Sequence, residues 1–278
     1  MIVLDLSEVY IEELLCKQDR AAYLQSQPLL FDHYYRYWSP KGWHAEPLSA
    51  DSVRELRDRV ERHLLDLDIL LKQALFDTGR LEVILFVGEG TSNGHAFVDD
   101  NRVIVWIPIE TYTTDSRARV FLMHELIHGL HYHHSPEFGF RDHRTKNLLG
   151  RQLITEGLST LLTADILGIP HDEALWADYL APEARGNWMR ECAARKAELF
   201  QYCRSHFHES DDECALFMAN DPNDVMRYRA GYYAGLTVLK DLCATDDCPS
   251  SRLLKIGRPA LEKLVMWHLG KGVAHHAV

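Results

Sequence analysis

The segment that most limits how this chain can fold runs from Val120 to Leu130 and reads VFLMHELIHGL. Its large apolar residues lie on all sides of a helix, so a helix here must be buried over most of its surface. His124 and His128 are four residues apart, and on a helix their imidazoles leave the same face one turn apart. Burying these imidazoles and the carboxylate of Glu125 without partners would cost several kcal/mol. The segment therefore predicts a buried helix that carries a polar site.

The spacing H-E-x-x-H is typical of a zinc site. One zinc ion can bind both histidines at roughly 2.0–2.1 Å. The side chain of Glu125 is turned away by about 100° and reaches a water molecule on the metal instead. In this arrangement the carboxylate is a general base toward the water, whose pKa the zinc lowers to about 7. A buried helix that carries two histidines by chance is the alternative, and the cost of burying three polar side chains favours the metal.

A catalytic zinc site takes three protein ligands, and Glu156 is the candidate for the third. It lies in a predicted helix, 148–167, that ends at Gly168. Apolar residues flank it, and enough chain separates it from His128 for a turn and an antiparallel return. The next residue, Gly157, is expected to let the backbone of this helix approach that of the motif helix closely. The alternative for Glu156 is an exposed helix residue in a salt bridge, which is the commoner use of glutamate.

The order of sequence patterns predicts an α+β fold that is mostly helical, with a small mixed or antiparallel sheet preceding the motif helix. Thr113, Thr114 or Asp115 is expected to cap the motif helix. The elements predicted before it are helices at 8–27 and from Ser49 or Asp51 to Phe76 (ended by Gly79), a strand at 81–87, and a hairpin of 95–98 and 102–107 around 99–101.

After Gly168 the pattern is helical to the end of the chain. Helices are predicted at 173–180, 183–207, 213–219, 225–242 and 250–269. We expect a single unit over 1–278, made of a helical N-terminal portion (1–79), a sheet with zinc-binding helices (80–168) and a helical C-terminal portion (169–278).

Together, the motif around His124 and the downstream Glu156-Gly157 resemble the gluzincin metallopeptidases. More narrowly, the chain is similar to a bacterial family of small predicted zinc-dependent proteases, a domain of unknown function. That family also has a strand hairpin before the motif helix, a Glu-Gly pair in the following helix and a Gly-Tyr element near the C-terminus, here within 228–235. The resemblance covers roughly residues 80–245. It implies a zincin-like fold, a Zn²⁺ cofactor held by His124, His128 and Glu156, and hydrolysis of a peptide or protein substrate.

Peptide hydrolysis also needs a donor for the tetrahedral oxyanion. Tyr232 in the Gly-Tyr element is the first candidate and Tyr228, one helical turn earlier, is the second; core packing is the alternative for both. The chain departs from the thermolysin branch at Thr160, where that branch has an aspartate that supports a zinc-bound histidine. Asp165 or a backbone carbonyl is the expected substitute.

Other features near the predicted site have a more ordinary interpretation. The aromatic cluster at 29–48 is typical of packing between helices, and a ligand platform is the alternative. His131, His133 and His134 are expected at the solvated end of the motif helix rather than in a second metal site. Residues 135–147 are expected to form a loop that could rim the site. The hairpin strand 95–98 could offer an edge to which an extended substrate pairs.

Composition narrows the choice of partners and compartment. The net charge of −11 and the pI of about 5.8 argue against nucleic acid or an anionic membrane surface as the main partner. The N-terminus has no basic segment of the signal-peptide type, and no apolar run approaches the ~20 residues of a membrane span, so we expect a cytoplasmic protein. Cys243 and Cys248 flank a short turn; reduced thiols are expected, and a disulfide in an oxidising compartment is the alternative.

Two other functions stay open at this point. A zinc protein that only binds a partner would leave Glu125 idle, and a zinc hydrolase could act on a non-peptide substrate. The sequence does not determine the oligomeric state or the cleavage preference.

Overall fold

The protein is described by a computed structural model that covers residues 1–41, 46–100, 102–211 and 215–274. It is mostly helical with one small mixed sheet, which confirms the predicted α+β class. The chain divides into two compact units, Met1–Leu130 and His131–Val278, and the division falls inside the helix Asp115–His134. Within the described ranges, no helix is both long enough and apolar enough to cross a membrane.

The first unit contains a four-stranded sheet in the order β1-β2-β4-β3. Its strands are β1 (Ile2–Asp5), β2 (Leu81–Phe86), β3 (His95–Asp99) and β4 (Arg102–Pro108). The predicted antiparallel hairpin is present as β3 and β4, although Asn101 in its turn lies outside the described residues. β1 and β4 both pair with β2 in parallel. The sequence did not predict β1, which is only four residues long.

The helices of the first unit depart from prediction near the N-terminus. They are α1 (Ser7–Val9), which continues as a wider π-helical turn (Tyr10–Cys16), α2 (Arg20–Gln25), α3 (Pro28–Tyr37), α4 (Ala50–Gln73), a 3₁₀ turn (Ile109–Thr111) and α5 (Asp115–His134). A single helix at 8–27 is therefore wrong. Gln18 is left-handed (φ 56°), and Asp19 caps a new helix by accepting a hydrogen bond from the Ala22 amide. Pro28 then opens α3, where its missing N–H costs nothing.

Helix α4 begins as predicted and ends early. The hydroxyl of Ser49 accepts a hydrogen bond from the Ser52 amide and caps the first turn. The helix stops at Gln73 because Leu75 is left-handed (φ 64°) and exposed, so Gly79 is not what ends it. The buried residues of α4 keep the predicted helical spacing; they are Val53, Val60, Leu64, Leu67 and Leu71.

Helices of the same unit cover both faces of the sheet at β4. A side chain at Gly129 of α5 would begin 2.6 Å from Val105 of β4, so this helix lies directly on the sheet. Tyr34 of α3 packs edge-on against Trp106, at 5.3 Å between ring centroids. Because Val105 and Trp106 are consecutive in one strand, they point to opposite faces. The aromatic cluster therefore packs a helix on the sheet; Trp43 lies outside the described residues.

The second unit is built from helices. These are α6 (His143–Lys146), α7 (Leu149–Leu167), α8 (His171–Trp176), α9 (Pro182–Ala194), α10 (Lys196–Ser205), α11 (Ala230–Asp246) and α12 (Arg258–Ala274), with 3₁₀ turns at Pro136–Phe138, Val225–Arg227 and Ser250–Lys255. α7 ends at a left-handed Gly168, as predicted. The predicted helix 183–207 is broken at Arg195, where α9 ends and α10 begins. Of the helix predicted at 213–219, residues 213–214 lie outside the described ranges and 215–219 are not helical.

Two glycines bring α7 and α11 into backbone contact. A Cβ on Gly157 would lie 2.4 Å from the carbonyl carbon of Gly235, and one on Gly235 would lie 2.3 Å from the Leu153 carbonyl oxygen. Gly157 therefore allows a close approach of two helices, but its partner is α11 and not the motif helix that the sequence predicted.

The end of the motif helix differs from prediction at one histidine. His133 is half-buried and His134 is exposed, as a solvated end requires, whereas His131 is completely buried. His131 lies 4.5 Å from Phe138 between ring centroids, in the segment 135–147 that was expected to be a loop. That segment contains a 3₁₀ turn and the one-turn helix α6. Buried Arg151 holds it in place by donating from Nε to the Phe138 carbonyl at 2.6 Å.

Candidate metal centre

Helix α5 carries the H-E-x-x-H motif in its buried middle. The hydroxyl of Thr114 accepts a hydrogen bond from the Arg117 amide and caps the helix, as one of the three predicted residues. His124, Glu125 and His128 are all buried. The Nε2 atoms of His124 and His128 lie 3.1 Å apart, so both imidazoles converge on one point.

Helix α7 supplies the third side chain. The ligand atoms of His124, His128 and Glu156 all lie within 4.8 Å of one another. Most residues of α7 are fully buried, but Glu156 is only half-buried. Its carboxylate lies close to the two histidines and not on an exposed surface.

The donor set fits a metal ion. Two ligand nitrogens at roughly 2.0–2.1 Å from a tetrahedral zinc are separated by roughly 3.3–3.4 Å, close to the 3.1 Å between the two histidines. Two imidazole nitrogens and one carboxylate form a mixed N/O set that suits zinc and neighbouring transition metals. A buried His-His-Glu group of this kind could hold a metal ion, and it is the one such group found among the described residues.

Glu125 is positioned by the loop that leads into β3. A Cβ on Gly94 would lie 2.8 Å from Cγ of Glu125, 3.2 Å from its Cδ and 3.0 Å from the Trp106 carbonyl oxygen. Gly94 also has a φ of 155°, a conformation that residues with a side chain rarely adopt. Glycine is therefore needed at this position both for the backbone conformation and to leave room for the carboxylate of Glu125.

The same loop is held by hydrogen bonds with three polar side chains. The carboxylate of Glu110 accepts hydrogen bonds from the Gly88 and Gly90 amides, each at 2.9 Å. Burial raises the pKa of Glu110, and the two amides oppose this rise. The hydroxyl of Tyr112 donates to the Asn93 carbonyl, and that of Tyr34 accepts from the Glu89 amide. The loop beside Glu125 is thus fixed by contacts along its length.

A stack of rings flanks the motif helix near His128. His95, the first residue of β3, lies 6.4 Å from His128 between ring centroids. Trp38 lies 4.4 Å from His95, and His33 stacks on Phe97 at 4.2 Å. Sequence reasoning placed these residues in a hairpin and an aromatic cluster and did not connect them with the site. The only local signal was the glycine that precedes His95.

The two candidate tyrosines lie in different surroundings. Arg229 is left-handed (φ 59°) and separates Tyr228 from α11, so Tyr228 does not lie one helical turn before Tyr232 on the same helix. The ring of Tyr228 lies 5.2 Å from that of Trp176. Tyr232 is in the first turn of α11, 5.2 Å from Phe217, with the Arg229 guanidinium 4.4 Å from its ring.

The expected support for His124 by Asp165 is wrong. Asp165 is nine residues beyond Glu156 on α7, and nine residues turn a helix by about 900°, to the opposite face. Its carboxylate is exposed and accepts a hydrogen bond from the Ser250 hydroxyl at 2.5 Å. Thr160 is buried.

The cysteine pair is reduced in the structure. Cys243 and Cys248 are free, and the Cys248 amide donates to the Cys243 carbonyl at 3.1 Å. Burial, with Cys248 adding to it, raises the pKa of Cys243 to about 12. Such a thiol is mostly protonated at neutral pH, which makes it a poor nucleophile.

No family model, curated protein or solved structure matches this chain. Any statement of its function must therefore depend on the geometry of the site.

Proposed function

We propose that this protein is a zinc-dependent peptidase with a zincin-like fold and Glu125 as its general base. The observation that carries the proposal is the convergence of the His124, His128 and Glu156 ligand atoms, with Glu125 next to the first ligand in the same helix. Two histidines and a glutamate are the protein ligands of zinc in thermolysin-type and carboxypeptidase-type enzymes.

Zinc bound by these residues supplies a Lewis acid for the substrate carbonyl and lowers the pKa of a water molecule. The carboxylate of Glu125 accepts a proton from the water as its oxygen attacks the carbonyl carbon of the peptide bond. As the C–N bond breaks, Glu125 passes this proton to the leaving nitrogen. The products are a carboxylic acid, which ionises, and a free amine. Gly94 leaves room for Glu125 to stay close to the water.

Strand β3 supports a peptide as the substrate. It is an edge of the sheet, paired with β4 alone among the strands of the described residues. The loop at its beginning contacts Glu125 through Gly94. An extended peptide that pairs with this edge would gain backbone hydrogen bonds and run past the catalytic carboxylate.

Tyr232 remains our candidate for the oxyanion donor. It precedes Gly235 on α11 by less than one turn, and Gly235 contacts Gly157, the neighbour of Glu156. This contact supports Tyr232 over Tyr228, which lies outside α11. A lost oxyanion donor typically costs about 10²–10³ in turnover, so Tyr232→Phe should lower turnover to this extent without loss of zinc, whereas Tyr228→Phe should not.

The proposal is tested by zinc content and peptide hydrolysis measured on the same variants. Protein purified without added metal should contain one zinc, which His124→Ala, His128→Ala and Glu156→Ala should lose. His133→Ala is the matched control, because His133 lies on the same helix and is not a ligand. Glu125→Gln should keep the zinc and lower hydrolysis of a peptide library by about 10²–10⁴-fold or more.

Two results would contradict the proposal. Full metal content in all three ligand variants would show that the metal binds elsewhere. Stable zinc binding without hydrolysis of any peptide would favour a zinc protein with an idle Glu125, or a hydrolase of another substrate.

A further inference from the structure

β1 forms the edge of the sheet opposite β3, and its side chains are unusually exposed. Ile2, Val3 and Leu4 are 63%, 43% and 40% exposed. Successive residues of a strand point to opposite faces, so the exposure of three in a row means that both faces of β1 are open. Exposed apolar edge strands promote pairing with another chain unless they are covered.

The outer edge of β1 presents backbone groups for a further strand. The Leu6 amide donates to the Leu85 carbonyl of β2 at 2.9 Å. In a parallel pair alternate residues direct both backbone groups to the neighbouring strand, so Ile2 and Leu4 also face β2. The N–H and C=O groups of Val3 and Asp5 therefore point away from the sheet.

A groove lies beside this edge on the surface of α4. Its cavity of about 330 Å³ is lined by Met1 and Val3 and by Glu61, Leu64, Leu65 and Asp68 of α4. Leu65 and Ile69, one turn apart on α4, are 69% and 54% exposed. Val3, Leu65 and Ile69 lie on the α4 side of the strand and form an apolar patch, which we call the β1 patch, whereas Ile2 and Leu4 are exposed on the opposite face. Contiguous exposed patches often mark binding surfaces.

The uncompensated charge at the groove is that of Glu61. Glu61 forms no salt bridge within the described ranges, whereas Asp68 is paired with Lys72 at 2.6 Å and with the Met1 ammonium at 3.6 Å. Burial raises the pKa of Glu61, and the nearby Asp5 carboxylate raises it further while Arg57 lowers it. An added positive charge would relieve this repulsion. Two copies of the chain joined edge to edge would instead bring the same acidic surface against itself, on molecules of net charge −11.

We propose that the β1 edge binds an extended segment of a partner protein by strand addition, with apolar side chains on the β1 patch and lysine or arginine beside Glu61. The backbone groups of Val3 and Asp5 provide affinity, and the patch with Glu61 provides selectivity. This site is separate from the candidate metal centre and does not depend on a peptidase activity.

The test is binding of a fluorescent peptide that alternates valine and lysine, measured by anisotropy with full-length Glu125→Gln protein so that the peptide is not cut. The control peptides carry glutamate in place of lysine, or N-methyl groups on alternate backbone nitrogens. We expect the valine-lysine peptide to bind, and both control peptides to bind at least about tenfold more weakly than it does. No binding of the valine-lysine peptide, or equal binding of the N-methylated one, would overturn the proposal.

Variants locate the bound peptide. Val3→Pro removes a backbone N–H that points away from the sheet but keeps the hydrogen bonds to β2, so it should abolish binding. Val3→Ala keeps this N–H and the hydrogen bond that it can donate. Glu61→Lys should weaken binding of the basic peptide and strengthen that of the glutamate peptide. Glu55→Lys is its control, with the same change of charge on a different side of α4.

Four results would overturn the inference. Binding unchanged in Val3→Pro would place the peptide on another edge, such as β3. Equal effects of Glu61→Lys and Glu55→Lys would show that only net charge matters. Since Val3→Pro could fail to fold, Leu65→Lys serves as a second variant on an exposed helix position, and unchanged binding in it would exclude the β1 patch. Sedimentation that shows a dimer dependent on Val3 would identify a second copy as the occupant instead.

Discussion

At the scale of single residues, Gly94 joins the sheet to the proposed catalytic base. Its conformation and its contact with Glu125 both exclude a side chain. The two effects can be separated, because Gly90 in the same loop also has a positive φ (66°) but has no atom within 4 Å of its Cβ position.

We predict that Gly94→Ala lowers peptide hydrolysis by about 10²-fold with zinc content unchanged, because a displacement of about 1 Å at a catalytic group costs this much. Gly90→Ala should leave the turnover near normal and cost only about 1–2 kcal/mol of stability from backbone strain. Turnover, zinc content and thermal unfolding measured on both variants decide the matter. Equal losses of turnover would mean that the strain of the loop, and not the contact with Glu125, is responsible.

At the scale of elements, the contact of α7 with α11 depends on the absence of side chains. Gly157 and Gly235 meet at backbone distance, and the atoms they meet belong to the main chain, which cannot rotate away. This contact fixes the helix that carries Glu156 against the helix that carries Tyr232.

Gly157→Ala should lower the free energy of unfolding by about 1–3 kcal/mol or more, as overpacking does. Gly186→Ala is the matched control, since Gly186 lies inside α9 and its Cβ would meet only the end of the Arg190 side chain at 3.6 Å. That change should stabilise the protein by about 0.5–1 kcal/mol, because glycine is a poor helix former. Chemical denaturation measures both, and a Gly157→Ala variant as stable as Gly186→Ala would exclude a tight helix contact.

At the scale of the whole molecule, a bound metal links folding to ligand binding. The three proposed ligands come from α5 and α7 and converge only in the folded chain. A metal that binds the native state alone stabilises it by RT ln(1 + [L]/Kd), about 2.7 kcal/mol at a hundredfold excess over Kd.

Removal of zinc by a chelator should therefore lower Tm by several degrees, because in a large domain each kcal/mol of lost unfolding free energy lowers Tm by about 2–4 °C. His124→Ala should show little change of Tm on chelation, and His133→Ala should respond as the unmodified protein does. Scanning calorimetry with and without chelator is the measurement. A protein with one measured zinc and an unchanged Tm after chelation would contradict a site built from α5 and α7.

The sequence determined the parts of this protein that depend on local pattern. The apolar segment around His124 predicts the buried helix α5, and the runs of β-branched and aromatic residues before it predict β2 and the β3–β4 hairpin. Ser49 and Gly168 predict helix ends. Each of these is set by local composition, by periodicity or by one capping residue. Glu156 could be selected as the candidate third ligand because it stands in an apolar helix beside Gly157.

Only the tertiary structure decided features that depend on partners distant in the chain. β1 is too short to be recognised without β2 beside it, and the breaks at Gln18 and Arg229 are left-handed conformations that propensity does not reveal. His131 is buried by the segment that follows it, and Asp165 lies on the face of α7 opposite Glu156. The contacts of Gly94 with Glu125 and of Gly157 with Gly235 join positions more than 30 residues apart, so no local pattern contains them.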